Sequence, residues 1–311
     1  MTHSTAWRKR QYQKRARYAR KYASSAKTRP YRKTRRTYRR KVTTMSRRRL
    51  LNITSEKKHD KMLVTTNASA SSSAGTTYTA NPAILTGGYN VPYTFVWCAT
   101  ARDLSISPSV SKGSKSDIGT RTTSSPFMVG LSEKIEIQTV NGTPWQWRRI
   151  CFTAKMGANL NGVLPDSASF HTNLEASNGF QRVVNTVLDG IRPNFEALLF
   201  MGEQNVDWND QMVAPVDNRR VNLKYDKTIT IAAGNEDGTI RSYKRWHPMR
   251  KTLMYDDDER GGTLTQAGTS VYNRQGMGDY WVVDYIRPRS GAVAADQLLF
   301  RPEATLYWHE R

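Results

Sequence analysis

The chain is strongly charged at one end only. Residues 1–50 hold 20 of the 48 Lys and Arg and no Asp or Glu, and the first acid is Glu56. The other 261 residues carry 28 basic against 26 acidic side chains, so they contribute only +2 to a net charge of +22. A segment like the first repels itself and has no apolar set to bury, so it is expected to be disordered when unbound. Residues 1–55 therefore read as a polycationic arm and residues 56–311 as the body that folds. The ligand such an arm calls for is a dense polyanion. Each cation that neutralises a phosphate releases a counterion, giving strong, sequence-independent and salt-sensitive binding.

Within the arm, aromatic residues alternate with the basic runs: Trp7, Tyr12, Tyr18, Tyr22, Tyr31 and Tyr38. Cations track the phosphates while rings stack on unpaired bases, which favours single-stranded over duplex nucleic acid. The expected contacts are Arg8, Lys9, Arg10, Lys14, Arg15, Arg17, Arg20, Lys21, Arg32, Lys33, Arg35, Arg36, Arg39, Arg40, Lys41, Arg47, Arg48 and Arg49. Arg35-Arg36, Arg39-Arg40-Lys41 and Arg47-Arg48-Arg49 are also clusters of the nuclear-import type, so a host import receptor is an expected partner. Part of the arm could turn helical on binding, with Pro30 as a stop.

Beyond Glu56, short runs rich in Val, Ile, Thr and aromatics recur between Gly, Pro, Asn and Ser clusters. The expected strands are 61–66, 91–100, 134–140, 146–154, 180–188, 221–232, 240–255, 280–287 and 298–309. Ile135 and Ile137 alternate with Glu136 and Gln138, and Trp281, Val283 and Tyr285 form a second row, as half-buried antiparallel strands require. The best helix is short, Asn194 to Met201, with Asn194 as cap and Gly202 as stop. Without helices to cover them, parallel sheets are not expected. The expected fold is all-β: a single antiparallel jelly-roll β-sandwich of about eight strands in two sheets. The long connections 156–179, 202–218 and 256–279 are expected to carry surface and subunit contacts.

Catalytic signatures are missing. The Gly113-Ser114-Lys115-Ser116 stretch lacks the first glycine and the Gly-Lys pair of a phosphate-cradling loop. No nucleophile elbow occurs. His3, His59, His171, His247 and His309 are scattered, without the His-hydrophobic-His pair of a metal-dependent nicking enzyme. No enzyme activity, cofactor or metal is expected. Asp256-Asp257-Asp258-Glu259 could bind a cation through oxygens but reads better as an acidic loop that pairs with Arg on a neighbouring subunit. Cys98 and Cys151 read as buried thiols. Trp145, Trp147, Trp246, Trp281 and Trp308 read mostly as core or interface anchors, with a minority facing a nucleotide. Arg148 and Arg149 are candidate phosphate contacts, with an interface ion pair as the equal alternative. No apolar run reaches the length of a membrane span and no leader is expected, so Asn52, Asn67 and Asn141 read as unglycosylated.

Three stretches carry a family resemblance. RRTYRRKVTTMSRRRLLNITSEKKHDKML (Arg35–Leu63), PWQWRRICF (Pro144–Phe152) and LMYDDDERGG (Leu253–Gly262) resemble genomovirus capsid proteins, relatives of the geminivirus coats. The resemblance implies a jelly-roll subunit, a small icosahedral shell of sixty copies, a circular single-stranded DNA genome and a virion assembled in the host nucleus. Sixty arms of 20 charges each would bring about 1,200 cations inside, enough for on the order of a thousand phosphates. The rival expectation is a cellular nucleic-acid-binding protein with a basic tail, ribosome- or chromatin-associated, which would form no particle.

Overall fold

The computed structural model describes residues 10–15, 45–89, 91–106, 108 and 111–311. The chain divides into two units, Met1–Arg47 and Arg48–Arg311. In the first, residues 10–15 form a helical segment, α1, with exposed side chains. The expected disorder of most of the arm falls outside the described residues. Helix α2 spans Arg47–Thr54 and was not expected from the sequence. The hydroxyl of Thr54 donates back to the Leu50 carbonyl at 3.1 Å, closing its last turn.

The body is all-β. In chain order its strands are β1 (Glu56–Met62), β2 (Val64–Thr66), β3 (Ala83–Thr86), β4 (Tyr93–Cys98), β5 (Phe127–Thr139), β6 (Trp145–Ala154), β7 (Leu174–Ala176) and β8 (Gly179–Val184). After helix α3 (Arg192–Leu199) come β9 (Asn222–Ile231), β10 (Thr239–Thr252), β11 (Asp258–Arg260), β12 (Thr263–Thr265), β13 (Asp279–Pro288) and β14 (Gln297–Glu310). Each of the nine expected strands has a counterpart with shifted ends. The sequence reading missed β3, β7, β11 and β12, which are three or four residues long, too short to show a period.

Four sheets form among the described residues, where two were expected. The first runs β1-β14-β5-β10, with β3 also pairing β14. The second runs β4-β13-β6-β9. Every pairing in both is antiparallel. The small sheets are β11-β12 and β2-β8-β7, and β2 pairs β8 in parallel, against expectation. Three residues of parallel ladder joined by a long excursion need no crossover helix, which is why the rule against parallel sheets did not exclude them.

The two large sheets bury their inner faces against each other. Ile135 and Ile137 of β5 and Phe300 of β14 pack with Phe95 of β4 and Trp147 of β6. Leu306 and Trp308 of β14 meet Trp97 of β4 and Val282 of β13 in the other half of the core. The Phe95 and Phe300 rings stack between the sheets at 6.0 Å and 7°. On β5 the expected alternation holds: Ile135 and Ile137 are buried and Glu136 and Gln138 are not. On β13 it does not, because both faces are buried. Trp281, Val283 and Tyr285 do form one row, but they point away from the other sheet, into a second core. That core is closed by the long connections: Leu160, Phe170, Phe195, Leu199, Phe200 and Trp208 fold over the outer face of β4-β13-β6. The excursions expected to be surface loops are therefore partly a covering layer.

Helix α3 belongs to this layer. It starts at Arg192 behind Ile191, which gives no side-chain cap, so Asn194 sits inside the helix instead of capping it. Pro193 accounts for the earlier start, since a first-turn residue needs no amide hydrogen and a fixed φ suits the helix. Gly202 lies just past the end at φ +85°. The β9–β10 connection closes on Gly238 at φ +83°, where a Cβ would run into the Thr139 carbonyl, so only glycine fits.

Candidate nucleic-acid interface

Of the expected arm contacts, Arg10, Lys14 and Arg15 lie on α1 and are exposed. Arg10 and Lys14 are one helical turn apart and share a face. Arg49 on α2 is exposed as well. Arg47 and Arg48 open the same helix. Arg8, Lys9, Arg17, Arg20, Lys21, Arg32, Lys33, Arg35, Arg36, Arg39, Arg40 and Lys41 lie outside the described residues.

In the body, the two arginines expected to meet phosphate do something else. Arg149 points into the space between the large sheets, where its guanidinium binds Asp284 with two parallel bonds, 2.7 and 2.9 Å, and also donates to Glu133. Arg182 of β8 completes the square, donating to Glu133 at 3.2 Å and to Asp284 at 3.0 Å. Trp147 Nε1 donates to Asp284 at 2.7 Å, and the Arg182 guanidinium lies 4.3 Å over the Trp97 ring. Two cations and two anions cancel, and no side chain in the square is more than 2% exposed. Burial works against the charge on Glu133, but Arg149, His247 and Arg182 outweigh it and hold the carboxyl well below its usual range. Arg148, on the opposite face of β6, forks onto Asp226 at 2.9 and 2.6 Å and onto the Gln211 carbonyl at 2.7 Å. Neither arginine is available to a phosphate. The ion-pair alternative was nearer, but the partners belong to the same chain.

The same holds for the other constellations singled out in the sequence. Asp257 of the acidic run is engaged by Arg121 at 2.5 and 3.1 Å, with both side chains fully buried, so its partner is internal too. Among the described residues, no group of three His, Cys, Asp or Glu is placed to hold a metal ion. Cys98 and Cys151 are free and buried. They face different cores, on opposite faces of the β4-β13-β6 sheet. Trp145, Trp147, Trp281 and Trp308 are buried, whereas Trp246 is 49% exposed. No helix among the described residues is long and apolar enough to cross a membrane.

One group of surface cations lies along the β9 and β10 edges of the body. Among the described residues β9 pairs only with β6 and β10 only with β5, so each is the outer strand of its sheet. Residues 219–251 hold nine Lys and Arg against three acids; Asp226 is taken by Arg148, while Arg219 and Arg220 pair with Asp217 just before the segment. Lys224, Lys227, Arg241, Lys244, Arg250 and Lys251 are exposed. Below the edge, a cleft of about 550 Å³ is lined by Lys155, Arg219, Arg220 and Lys251 among others. Partial burial and then the nearby Lys251 charge depress the Lys224 ammonium, and burial depresses that of Lys155. Like charges held together gain from an anion between them. Lysines on open edges also block strand addition, so charge alone does not make the edge a binding surface. Sequence reasoning missed this edge; the local excess of cations over residues 219–251 was its one signal.

Neither a comparison with protein-family models nor one with curated protein sequences returns a match for the chain.

Proposed function

We propose that the chain is a shell-forming, genome-packaging protein: the capsid subunit of a small single-stranded DNA virus of the genomovirus type. The strand order carries this reading. Numbering the eight long strands of the two large sheets in chain order, the sheets run 1-8-3-6 and 2-7-4-5. Two interlocked Greek keys folded into a double sheet give this order, and that double sheet is the jelly roll of many viral shells. Joined to it is an arm with 20 cations and no acid. A near-neutral body can pack beside copies of itself, while the arm needs a polyanion to relieve its self-repulsion. On this reading the body builds the wall as a homo-oligomer of sixty copies and the arm condenses circular single-stranded DNA. The arm's basic clusters would direct the protein to the host nucleus by way of an import receptor.

The test is electron microscopy of purified, nuclease-treated protein together with its 260/280 nm absorbance ratio. Uniform closed particles with a nucleic-acid-rich ratio are the expected result. Small species stripped of nucleic acid would instead favour a cellular binding module with a basic tail. Deleting residues 2–49 is expected to leave a folded body that no longer packages DNA; unchanged DNA content in those particles would remove the arm from the mechanism.

A further inference from the structure

The outward face of the β1-β14-β5-β10 sheet carries aromatic rings that the core does not use. Trp246 of β10 is 49% exposed and Tyr307 of β14 is 36% exposed. Their centroids are 5.8 Å apart, although β5 runs between their strands. Gly130 makes this possible. It is the β5 residue paired with Tyr307, and a Cβ there would come within 2.6 Å of Trp246 Cζ2, so the indole lies across the bare backbone of β5. On the far side of Tyr307, His59 of β1 stacks on it at 5.8 Å and 25°. The rings thus form one continuous row across all four strands. A second pair, Phe127 and His309, lies in the adjoining row at 6.3 Å. A Cβ at position 130 would also meet the His247 carbonyl at 2.7 Å, so the β5–β10 backbone approach itself calls for glycine there, and the indole uses the bare surface that results.

Charge identifies the occupant. Lys57 and Lys61 flank His59 on the same outward side of β1 and are exposed. The outward acids, Glu303 and Glu136, belong to the other half of the face, where they sit opposite Lys134 and Arg301 in the strand register. Around the Trp246, Tyr307 and His59 rings the flanking charges on β1 are Lys57 and Lys61, and the outward Glu303 sits opposite Lys134 and diagonal to Lys61. Two copies meeting through this patch about a two-fold axis would set like charges together. A single-stranded nucleic acid matches both features, with bases for the rings and phosphates for the lysines, as on other sheet platforms that stack two or three bases.

We infer that the Trp246–Tyr307–His59 row is a stacking platform for unpaired bases of the packaged strand. The inference rests on the packaging reading above and adds to it a defined contact on the body: the arm gathers phosphate and the sheet holds bases.

The experiment is photo-crosslinking of the full chain to an oligothymidylate carrying 5-iododeoxyuridine, with peptide mapping, alongside affinity at about 0.5 M salt, where the phosphate contribution of the arm is suppressed. The expected result is crosslinking to the peptides that contain Trp246 and Tyr307. Trp246→Ala combined with Tyr307→Ala should lower that yield and the high-salt affinity about ten-fold, while Trp246→Phe, which keeps a ring, should retain most of both. Both side chains are at the surface, and the denaturation midpoint of each variant checks that the body is intact. Crosslinks confined to residues 1–55 in a chain that binds the oligonucleotide would overturn the platform and leave arm-driven packaging standing. Equal crosslinking in the double variant, with particles replaced by smaller species, would make the face a contact between copies and overturn the platform as well. A full chain that binds no oligonucleotide at all would overturn the packaging reading itself.

Discussion

The arm and the body use the same cation in opposite ways. The arm has 20 Lys and Arg without a single acid in its first fifty residues. In the body, Lys58, Arg102, Arg121, Arg149 and Arg182 are buried, and each has a carboxylate of the same chain within reach. Where acid and base counts balance, the cations can go inside, because each finds a partner that offsets its desolvation. Where they do not balance, the charge has to be met by something other than this chain. The net charge of +22 is therefore almost all a property of the arm, and counting body arginines as phosphate contacts mistakes core residues for surface ones.

The largest effect that would break this comparison is in the core. Glu133→Gln leaves Arg149 and Arg182 with one uncompensated charge between the sheets, and should cost about 3–5 kcal/mol of folding free energy. The denaturant midpoint of the full chain measures it; a loss under about 1 kcal/mol would mean that water reaches the square. The depressed Glu133 also fixes a pH sign. Its contribution is complete above the ordinary carboxyl value of 4.5 and fades only as pH falls from there toward the lower folded value.

Asp279 behaves in the opposite sense. Burial pushes its carboxyl from 3.8 up to about 6, only partly offset by the amide and hydroxyl of Ser270 and the hydroxyl of Thr100. The folded state then holds the proton more tightly than the unfolded one. Stability from this group is highest below about pH 4, falls as pH rises through 6, and is flat above. Asp279→Asn should remove that slope, a difference of roughly 2–3 kcal/mol between the ends of the window. Denaturation midpoints of parent and variant at several pH values test it, and parallel curves would show that Asp279 stays ionised in the fold.

These core groups also mark how far the sequence could be read. The positions of the long strands, the all-β class and the burial of Ile135 and Ile137 were legible because a half-buried strand writes its period into the residues. β1 was harder. EKKHDKM shows no apolar alternation because it is an outer strand, and of its inward residues only Lys58 and Met62 are buried. β13 looked half-buried because nothing local says that a segment near residue 200 will fold over its other face. Arg149 was unreadable for the same reason: its partners are 16 and 135 residues away, and only the sheet register brings them together. The candidate interface divided likewise. The arm is composition, visible at once. Trp246 stood out only as one tryptophan among several, and its place across β5 depends on Gly130 of the neighbouring strand, which no spacing along the chain encodes.

The arm side of the comparison predicts effects on binding without effects on folding. Replacing Arg10, Lys14 and Arg15 together by Gln should leave the denaturation midpoint unchanged, since the three are exposed. If all three touch phosphate, the slope of log affinity against log salt for single-stranded DNA should become shallower by about 2. An unchanged slope would remove α1 from the contact.

The smallest effect sits where the two uses of charge meet, on the β9–β10 edge. Lys224 is depressed by burial and by Lys251. If the edge is a polyanion contact, Lys224→Gln should make the salt slope shallower by about 0.7 and weaken binding equally for all sequences, because phosphates carry no sequence information. If the lysines only guard an open edge, the slope should not move, and the variant should instead tend to associate through the exposed backbone of β9. Sedimentation of the variant beside its salt titration separates the two, because a guarding lysine changes the first measurement and a binding lysine the second.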